Sequence, residues 1–271
     1  MKIETHPCFS SCCTEYARIH LPVAPLCNMQ CNYCVRKFSC ANETRPGVTI
    51  KVMEPEEVFR WYQKAKATVP KLTVVGIARP GDTLVNWTKV VETLNLIRAY
   101  DKEVQFCIST NGLLLPKYID ALINADVEFV TVTVNAVHPE VGAKIYSFIE
   151  YENVTYQGVP AAELLWQKQQ EGIRKLVAAG ACVKINTVDI PGINLEEIPK
   201  IAQAVGELGC EVHNIIPMLP AKESVFGAIH EPDAQTMLAL RKACQKYLRQ
   251  LQHCTRCRAD AVGKLCPEVK G

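Results

Sequence analysis

The sequence predicts an α/β fold in which a parallel sheet carries helices on its outside. Two observations predict it: six short runs rich in Val, Ile and Thr, and an amphipathic helical stretch after each run. A third observation concerns the cysteines. Seven of the fourteen fall in the first 40 residues and three lie at 254, 257 and 266, which suggests metal sites assembled from chain ends that meet in space. Six strand–helix units suit an open doubly wound sheet or an open (β/α)6 barrel, and are too few for the eight-stranded barrel.

The units run in order along the chain. ARIHLPVA (17–24) is a strand-sized run, followed by the helical pattern EPEEVFRWYQKAKA (54–67) with Pro55 near its start. LTVVGIA (72–78) precedes NWTKVVETLNLIRAY (86–100), and EVQFCIS (103–109) precedes LPKYIDALINA (115–125). VEFVTVTV (127–134) leads to AAELLWQKQQEGIRKLVAAG (161–180), where Gly180 marks the stop. CVKINTV (182–188) leads to NLEEIPKIAQAVGELG (194–209), with Asn194 at its start and Gly209 at its end. CEVHNIIPM (210–218) leads to EPDAQTMLALRKACQKYLRQLQ (231–252), just before the terminal cysteines. The reading is of one domain: a core over 17–252 with cysteine-bearing extensions at 1–16 and 253–271.

Composition narrows the function classes. Thirty basic and 28 acidic residues give a net charge of +2, so no basic face for nucleic acid is expected. No apolar run approaches a membrane span and MKIETHPCFS lacks a signal-peptide core, so a cytoplasmic location is expected. In a reducing compartment many cysteines more often mean metal ligands than disulfides.

The loop after the first strand, APLCNMQCNYCVRKFSC, contains Cys27-x3-Cys31-x2-Cys34. Three thiolates this close can wrap one iron–sulfur cluster and leave one iron open. The same spacing suits a zinc knuckle with Cys40 as fourth ligand. After the second strand, GIARPGD (76–82) is a turn with closely spaced glycines, and after the third, STNG (109–112) is a polar strand end.

The cysteine spacing, with the aromatic Tyr33 before its last cysteine and after the first strand of a (β/α)6 pattern, resembles the radical S-adenosylmethionine (SAM) superfamily. That resemblance implies a partial (β/α)6 TIM-like barrel, an oxygen-sensitive [4Fe–4S] cluster on Cys27, Cys31 and Cys34, and SAM bound at its open iron. It also implies SAM contacts from Tyr33, Gly76, Gly81, Ser109, Thr110 and Asn111. Arg79 departs from it, standing where glycine is common. The blocks HPCFS (6–10), ARIHLPVAPLCNMQCNYCVRKFSCANETRPGV (17–48), CISTNGL (107–113) and CRADAVG (257–263) resemble the nitrogenase cofactor biosynthesis family within that superfamily. This second resemblance implies fusion of two further [4Fe–4S] precursor clusters into an eight-iron cluster with a central carbide, with SAM as methyl and radical source. It implies a reduced ferredoxin-type electron donor, an iron–sulfur cluster donor and downstream cofactor carrier or scaffold proteins as partners. Many members carry a C-terminal carrier domain, so a short form is expected here.

Ligands for the extra clusters are available. His20, Cys40 and Cys107 are expected to face one cavity near the SAM site; Cys8, Cys254 and Cys257, with Cys266 in reserve, are expected at another. A lone Cys107 or His20 is also an ordinary core residue, and a terminal CxxC also suits zinc or a redox pair. Cys182, Cys210 and Cys244 read as core, Cys12 and Cys13 as spare thiols, and no catalytic residue is assigned, Glu43 and Arg45 included. Another multi-cluster radical SAM maturase and a non-catalytic cluster scaffold are the competing readings.

Overall fold

The structure is a computed structural model that describes residues 3–10, 14–42, 48–78, 80–254 and 260–265. Arg79, Cys257, Cys266, Cys12, Cys13, Glu43 and Arg45 lie outside the described residues.

The first run forms a strand only over Ala17–His20 (β1), because Pro22 cannot continue it. The cysteine loop contains a second short strand, Met29–Cys31 (β2). The units then follow as α1 (Pro55–Thr68), β3 (Leu72–Ile77), α2 (Trp87–Tyr100), β4 (Gln105–Thr110), α3 (Leu115–Asn124) and β5 (Val127–Thr133). Next come α4 (Pro139–Ile145), β6 (Tyr146–Tyr151), β7 (Val154–Tyr156) and α5 (Gly158–Ala178). The chain closes through β8 (Cys182–Asp189), α6 (Ile198–Glu207), β9 (Val212–Pro217), α7 (Ala234–Cys244) and β10 (Val262–Lys264).

The main sheet has the order β10-β1-β3-β4-β5-β8-β9. Its six consecutive strands from β1 to β9 are parallel, and β10 pairs antiparallel with β1 at the edge. This is the α/β half-barrel of the expected class. Both sheet faces are buried, as parallel strands require, and β8 is buried at every position. Val75, Ile77, Phe106, Ile108, Val130, Val132, Val183 and Ile185 face the helices in the principal core. Alternate positions turn inward and are polar: Thr131, Lys184, Asn186 and Asn214 are all at most 5% exposed. An interior lined with polar side chains is where this fold departs from a packed core.

Several boundaries differ from the sequence reading. Asn194 does not begin α6. Its side chain instead receives the Ile190 N–H at 2.8 Å and donates to Asn135 O at 3.0 Å and Val188 O at 2.9 Å, so it locks a turn ahead of the helix. Asp233 caps α7 by accepting the Thr236 N–H at 2.8 Å. Beyond α7 the chain leaves the helical path and runs beside β9, where Leu251 N–H donates to His213 O at 2.8 Å. The hairpin of β6 and β7 was not expected. Glu152 and Asn153 both have positive φ, 53° and 62°, as a two-residue hairpin turn demands. With β2 these strands form a separate three-stranded sheet, β2-β6-β7.

On the outer layer, α1 is tied to the end of α2 by a small half-buried network. The Tyr62 hydroxyl donates to Asp101 Oδ2 at 2.6 Å, and Lys66 Nζ lies 2.7 Å from the same oxygen. Burial pushes the Asp101 carboxyl up, but hydrogen bonds from Lys66, Tyr62 and the Glu103 backbone outweigh it and hold the group below the usual carboxylate range. The ionised form is therefore favoured on folding, and its stabilisation is present above the unfolded value of about 3.9 and lost as pH falls through the folded one. Tyr62→Phe should cost about 1.5–3 kcal/mol in denaturant melts at neutral pH, the range for a hydrogen bond to a charged group. That cost should shrink below about pH 4 as Asp101 protonates.

Candidate metal centre and adjoining cavity

Two cavities lie at the barrel mouth and in its interior. The first is lined by the cysteine loop and the strand ends. Cys27, Cys31, Cys34 and Cys40 border it with Tyr33, Arg36, Gly81, Asp82, Ser109, Thr110 and Asn111. Strand β2 positions Cys31 by antiparallel pairing with Tyr146, and the loop packs on an apolar cluster that includes Met29, Tyr33, Ile149 and Leu165. The antiparallel sheet thus carries the thiols at the carboxyl ends of the parallel strands.

Burial pushes all three thiols of the triplet up. For Cys27 the neighbouring Asp82 adds to the rise, whereas the Arg36 guanidinium, hydrogen-bonded to the sulfur, opposes it. Cys31 is raised by burial and by the proximity of Cys34. Cys34 is raised by burial against the opposing pull of Arg36. Bound cationic metal would remove the cause, because it neutralises the thiolates it induces. Among the described residues no three His, Cys, Asp or Glu side chains converge on a point suited to one bare ion. Cys27, Cys31 and Cys34 line one cavity. Buried polar atoms nearby also fit a bound group: Asn28 Nδ2 and Ser39 Oγ have no hydrogen-bond partner among the described residues.

The cavity floor is held by Asp82. Its carboxylate accepts the Asn111 N–H at 2.6 Å, the Leu84 N–H at 2.9 Å and the Thr110 hydroxyl at 2.9 Å. Burial pushes this carboxyl up against those hydrogen bonds. Asn111 Nδ2 donates to Asn28 Oδ1 at 2.7 Å and approaches Cys27 Sγ at 3.8 Å. Asn86 Nδ2 donates to Leu26 O at 2.9 Å and to Asp82 O at 2.7 Å, which clamps the cysteine loop to the turn after β3. Gly81 makes that clamp possible, since a Cβ there would lie 2.1 Å from Leu26 O. Its backbone approach is to the loop, where the sequence reading expected a ligand. The Tyr33 hydroxyl donates to Asn42 Oδ1 at 2.9 Å and accepts from Asn135 Nδ2 at 2.8 Å.

The second cavity is lined by Cys8, His20, Gly76, Cys107, Cys254, Thr131, Lys184 and Asn214, among others. The sheet register explains its upper rim: His20 pairs with Gly76, and Gly76 with Cys107. With no side chain between them, the imidazole lies across the glycine, and a Cβ at 76 would stand 2.8 Å from His20 Cδ2. Gly76 therefore belongs to this cavity and not to the cysteine pocket. Cys40 is the reverse case. It was expected beside His20 and Cys107 but lines the first cavity, because its N–H donates to Pro80 O at 2.9 Å and draws it to the turn after β3. Cys8 and Cys254, assigned to a separate site, share the cavity of His20 and Cys107.

The chain ends do meet. His253 Nε2 lies 2.9 Å from Pro7 O, and Arg249 donates to Phe9 O at 2.6 Å. His6, given no role from sequence, accepts the Cys8 N–H on Nδ1 at 3.1 Å and packs on Phe9 and Phe129. Cys182, Cys210 and Cys244 are buried. Asn42, Ala78 and Ser109 line both cavities, so a shared wall separates them. Sequence reasoning missed Arg36, Asp82, Asn42, Thr131 and Lys184. Arg36, two residues beyond Cys34, and Asp82, in the turn after β3, had local signals; Asn42 is brought in by its loop, and Thr131 and Lys184 come together through sheet register.

The radical SAM superfamily pattern matches residues 21–205. Over 269 residues the chain is 44% identical to the FeMo cofactor biosynthesis protein NifB of Klebsiella pneumoniae, covering 97% of this chain and 58% of that protein. It is 38% identical to the NifB of Azotobacter vinelandii, covering 97% and 53%. The chain thus spans a little over half the length of these relatives. Among solved structures, SuiB of Streptococcus suis, bound to S-adenosylmethionine, has a TM-score of 0.61 at 13% identity, covering 87% of this chain and 50% of that one. Methylornithine synthase (PylB) has a TM-score of 0.57 at 11% identity, covering 94% and 77%. At such identities the likeness to the solved structures concerns the fold alone.

Proposed function

The chain belongs to the radical SAM superfamily, and from that membership we propose that it builds the carbide-containing eight-iron precursor of the nitrogenase cofactor. The observation that carries the reading is the pair of adjoining cavities. One holds a three-thiol motif, and the other, across a shared wall, gathers Cys8, His20, Cys107 and Cys254. The similarity to NifB proteins along 97% of the chain supports the same conclusion.

Cys27, Cys31 and Cys34 hold the resident [4Fe–4S] cluster, which when bound supplies an electron to SAM and so releases methionine and a 5′-deoxyadenosyl radical. The chain's own residues do the rest by binding and orientation. Asp82 fixes the Thr110–Asn111 strand end, and Asn111 and Asn28 offer amide donors and acceptors beside Cys27. Ser109 completes the SAM side, and Tyr33, braced by Asn42 and Asn135, closes it against water. The substrate is a pair of [4Fe–4S] clusters held in the second cavity by Cys8, His20, Cys107 and Cys254, with Cys257 and Cys266 as further candidates. Cys40, beside the triplet, stands where a substrate cluster would be handed toward SAM. Held there, SAM would serve as methyl source, releasing S-adenosylhomocysteine as its methyl passes to a substrate sulfide, and as radical source, ending as 5′-deoxyadenosine once a hydrogen is taken from that methyl. The net chemistry is of transferase and lyase type. The extensions 1–16 and 253–271 serve the second cavity, within one catalytic unit. A reduced ferredoxin-type protein, an iron–sulfur cluster donor and a downstream carrier or scaffold are the partners this chemistry needs. Among the described residues no helix is long and apolar enough to cross a membrane.

The test is direct. Reduced, reconstituted protein incubated anaerobically with SAM should form both S-adenosylhomocysteine and 5′-deoxyadenosine, and its product should restore acetylene reduction to cofactor-deficient nitrogenase. Formation of 5′-deoxyadenosine alone, with no restoration, would remove the methyl-transfer step.

A further inference from the structure

Helix α5 lies in the outer layer, yet one of its side chains reaches the strand ends that border the first cavity. Gln169 is 1% exposed, and its Nε2 donates to Asn111 O at 2.7 Å and to Thr133 O at 2.8 Å. Those two residues follow directly on Thr110 and Val132, the last registered pair of β4 with β5. Both line the first cavity. Where the ladder stops, one amide with two donors takes a carbonyl from each strand and continues the tie between them. The stem of the same side chain packs on the turn that follows. Gly112 has a φ of 86°, and a Cβ there would lie 2.8 Å from Gln169 Cγ.

Asn111 is therefore held from both sides. Its N–H donates to Asp82 at 2.6 Å, and its carbonyl accepts from Gln169. With both peptide groups fixed, its side chain takes a defined course. Oδ1 accepts the Leu113 N–H at 2.9 Å, while Nδ2 faces Asn28 Oδ1 at 2.7 Å and Cys27 Sγ at 3.8 Å. Loss of the Gln169 amide would strip a partner from two buried carbonyls and leave Asp82 as the remaining support of the Asn111 backbone. We propose that Gln169 is a positioning residue for SAM: it sets the ends of β4 and β5 so that Asn111 and Thr133 present their polar groups to the cofactor beside the cysteine triplet. This rests on the reading that the first cavity takes SAM. Gln169 acts through Asn111 and Thr133, from a helix 58 residues further along the chain than Asn111.

The experiment uses the full chain after anaerobic reconstitution. Iron per chain and the thermal midpoint are measured first, and SAM affinity is then read by equilibrium dialysis. Gln169→Glu keeps the shape but turns carboxylate oxygens toward both carbonyls, and Gln169→Met keeps the length without a donor. Each variant should keep its iron and weaken SAM binding by up to about a hundredfold, the scale for a shift of about 1 Å in groups that hold a reactant. Leu176→Ala, in the core on the same helix, is the control. It should lower the thermal midpoint, as loss of a buried leucine does, and leave SAM affinity unchanged. Undiminished SAM affinity in a folded Gln169 variant would overturn the positioning role. So would an equal loss of affinity in Leu176→Ala protein, or failure of both Gln169 variants to fold, since either result makes Gln169 a core residue and nothing more. If the unaltered protein binds no SAM, it is the reading of the first cavity that falls.

Discussion

Cys31→Ala should abolish SAM cleavage, lowering 5′-deoxyadenosine formation by more than about a hundredfold, and should remove the iron of the first cavity. Changes in groups that merely support a metal ligand already cost about 10–100-fold, so loss of a ligand itself costs more. Cys31 is the middle thiol of the triplet and is 8% exposed, enclosed by Met29, Tyr33, Tyr146 and Ile149. Its pairing with Tyr146 fixes the backbone on both sides, so no neighbouring loop residue can swing in to replace it. Cys40 lines the same cavity and, among the described residues, is the one thiol outside the triplet that does so. A Cys31→Ala/Cys40→Ala protein that lost no more activity than Cys31→Ala would show that it does not replace Cys31. Full SAM turnover in Cys31→Ala protein would end the proposed role of the triplet.

Gly81→Ala should be nearly as damaging, and by a purely steric route. The added Cβ would stand 2.1 Å from Leu26 O, 2.5 Å from Leu26 C and 2.8 Å from Pro25 O. These are backbone atoms, held by the Asp82 N–H, which donates to Leu26 O at 2.8 Å, and by the Asn86 amide. Relief requires the cysteine loop to move away from the turn after β3, so the clamp and the cavity floor are lost together. Overpacking of this kind costs about 1–3 kcal/mol where neighbours can yield, and more where they are backbone. The variant should show a lowered unfolding midpoint before iron is added and reduced iron after reconstitution. A Gly76→Ala control meets the end of a side chain, His20 Cδ2 at 2.8 Å, so its effect should fall on the second cavity and less on folding.

The half-barrel was legible because its signals are local. Runs such as VEFVTVT and CVKINTVD are apolar on successive positions, which parallel strands covered on both faces demand. The β6–β7 hairpin was not legible: Glu152 and Asn153 take the left-handed conformation that Gly or Asn usually signals, and only one of them is such a residue. That three thiols line one cavity was legible because residues this close on one loop need no tertiary structure to be neighbours. The second cavity was harder. His20, Cys107, Thr131 and Lys184 sit on different strands, and register alone decides that they face one space. Reading without register put Cys40 with His20, and put Cys8 and Cys254 elsewhere. The contact of the two chain ends followed from cysteine distribution, but the groups that make it, His253 with Pro7 and Arg249 with Phe9, carried no signal of their own.

That contact imposes an order of events on biosynthesis. The loop bearing the triplet and its supporting strands leave the ribosome well before residues 249–254 exist. Until those residues arrive, the wall made by Pro7, Cys8 and Phe9 has nothing to fasten it from the C-terminal side. The wall that carries Cys8 is thus fastened only once residues 249–254 have been made, later than the loop that bears the three thiols.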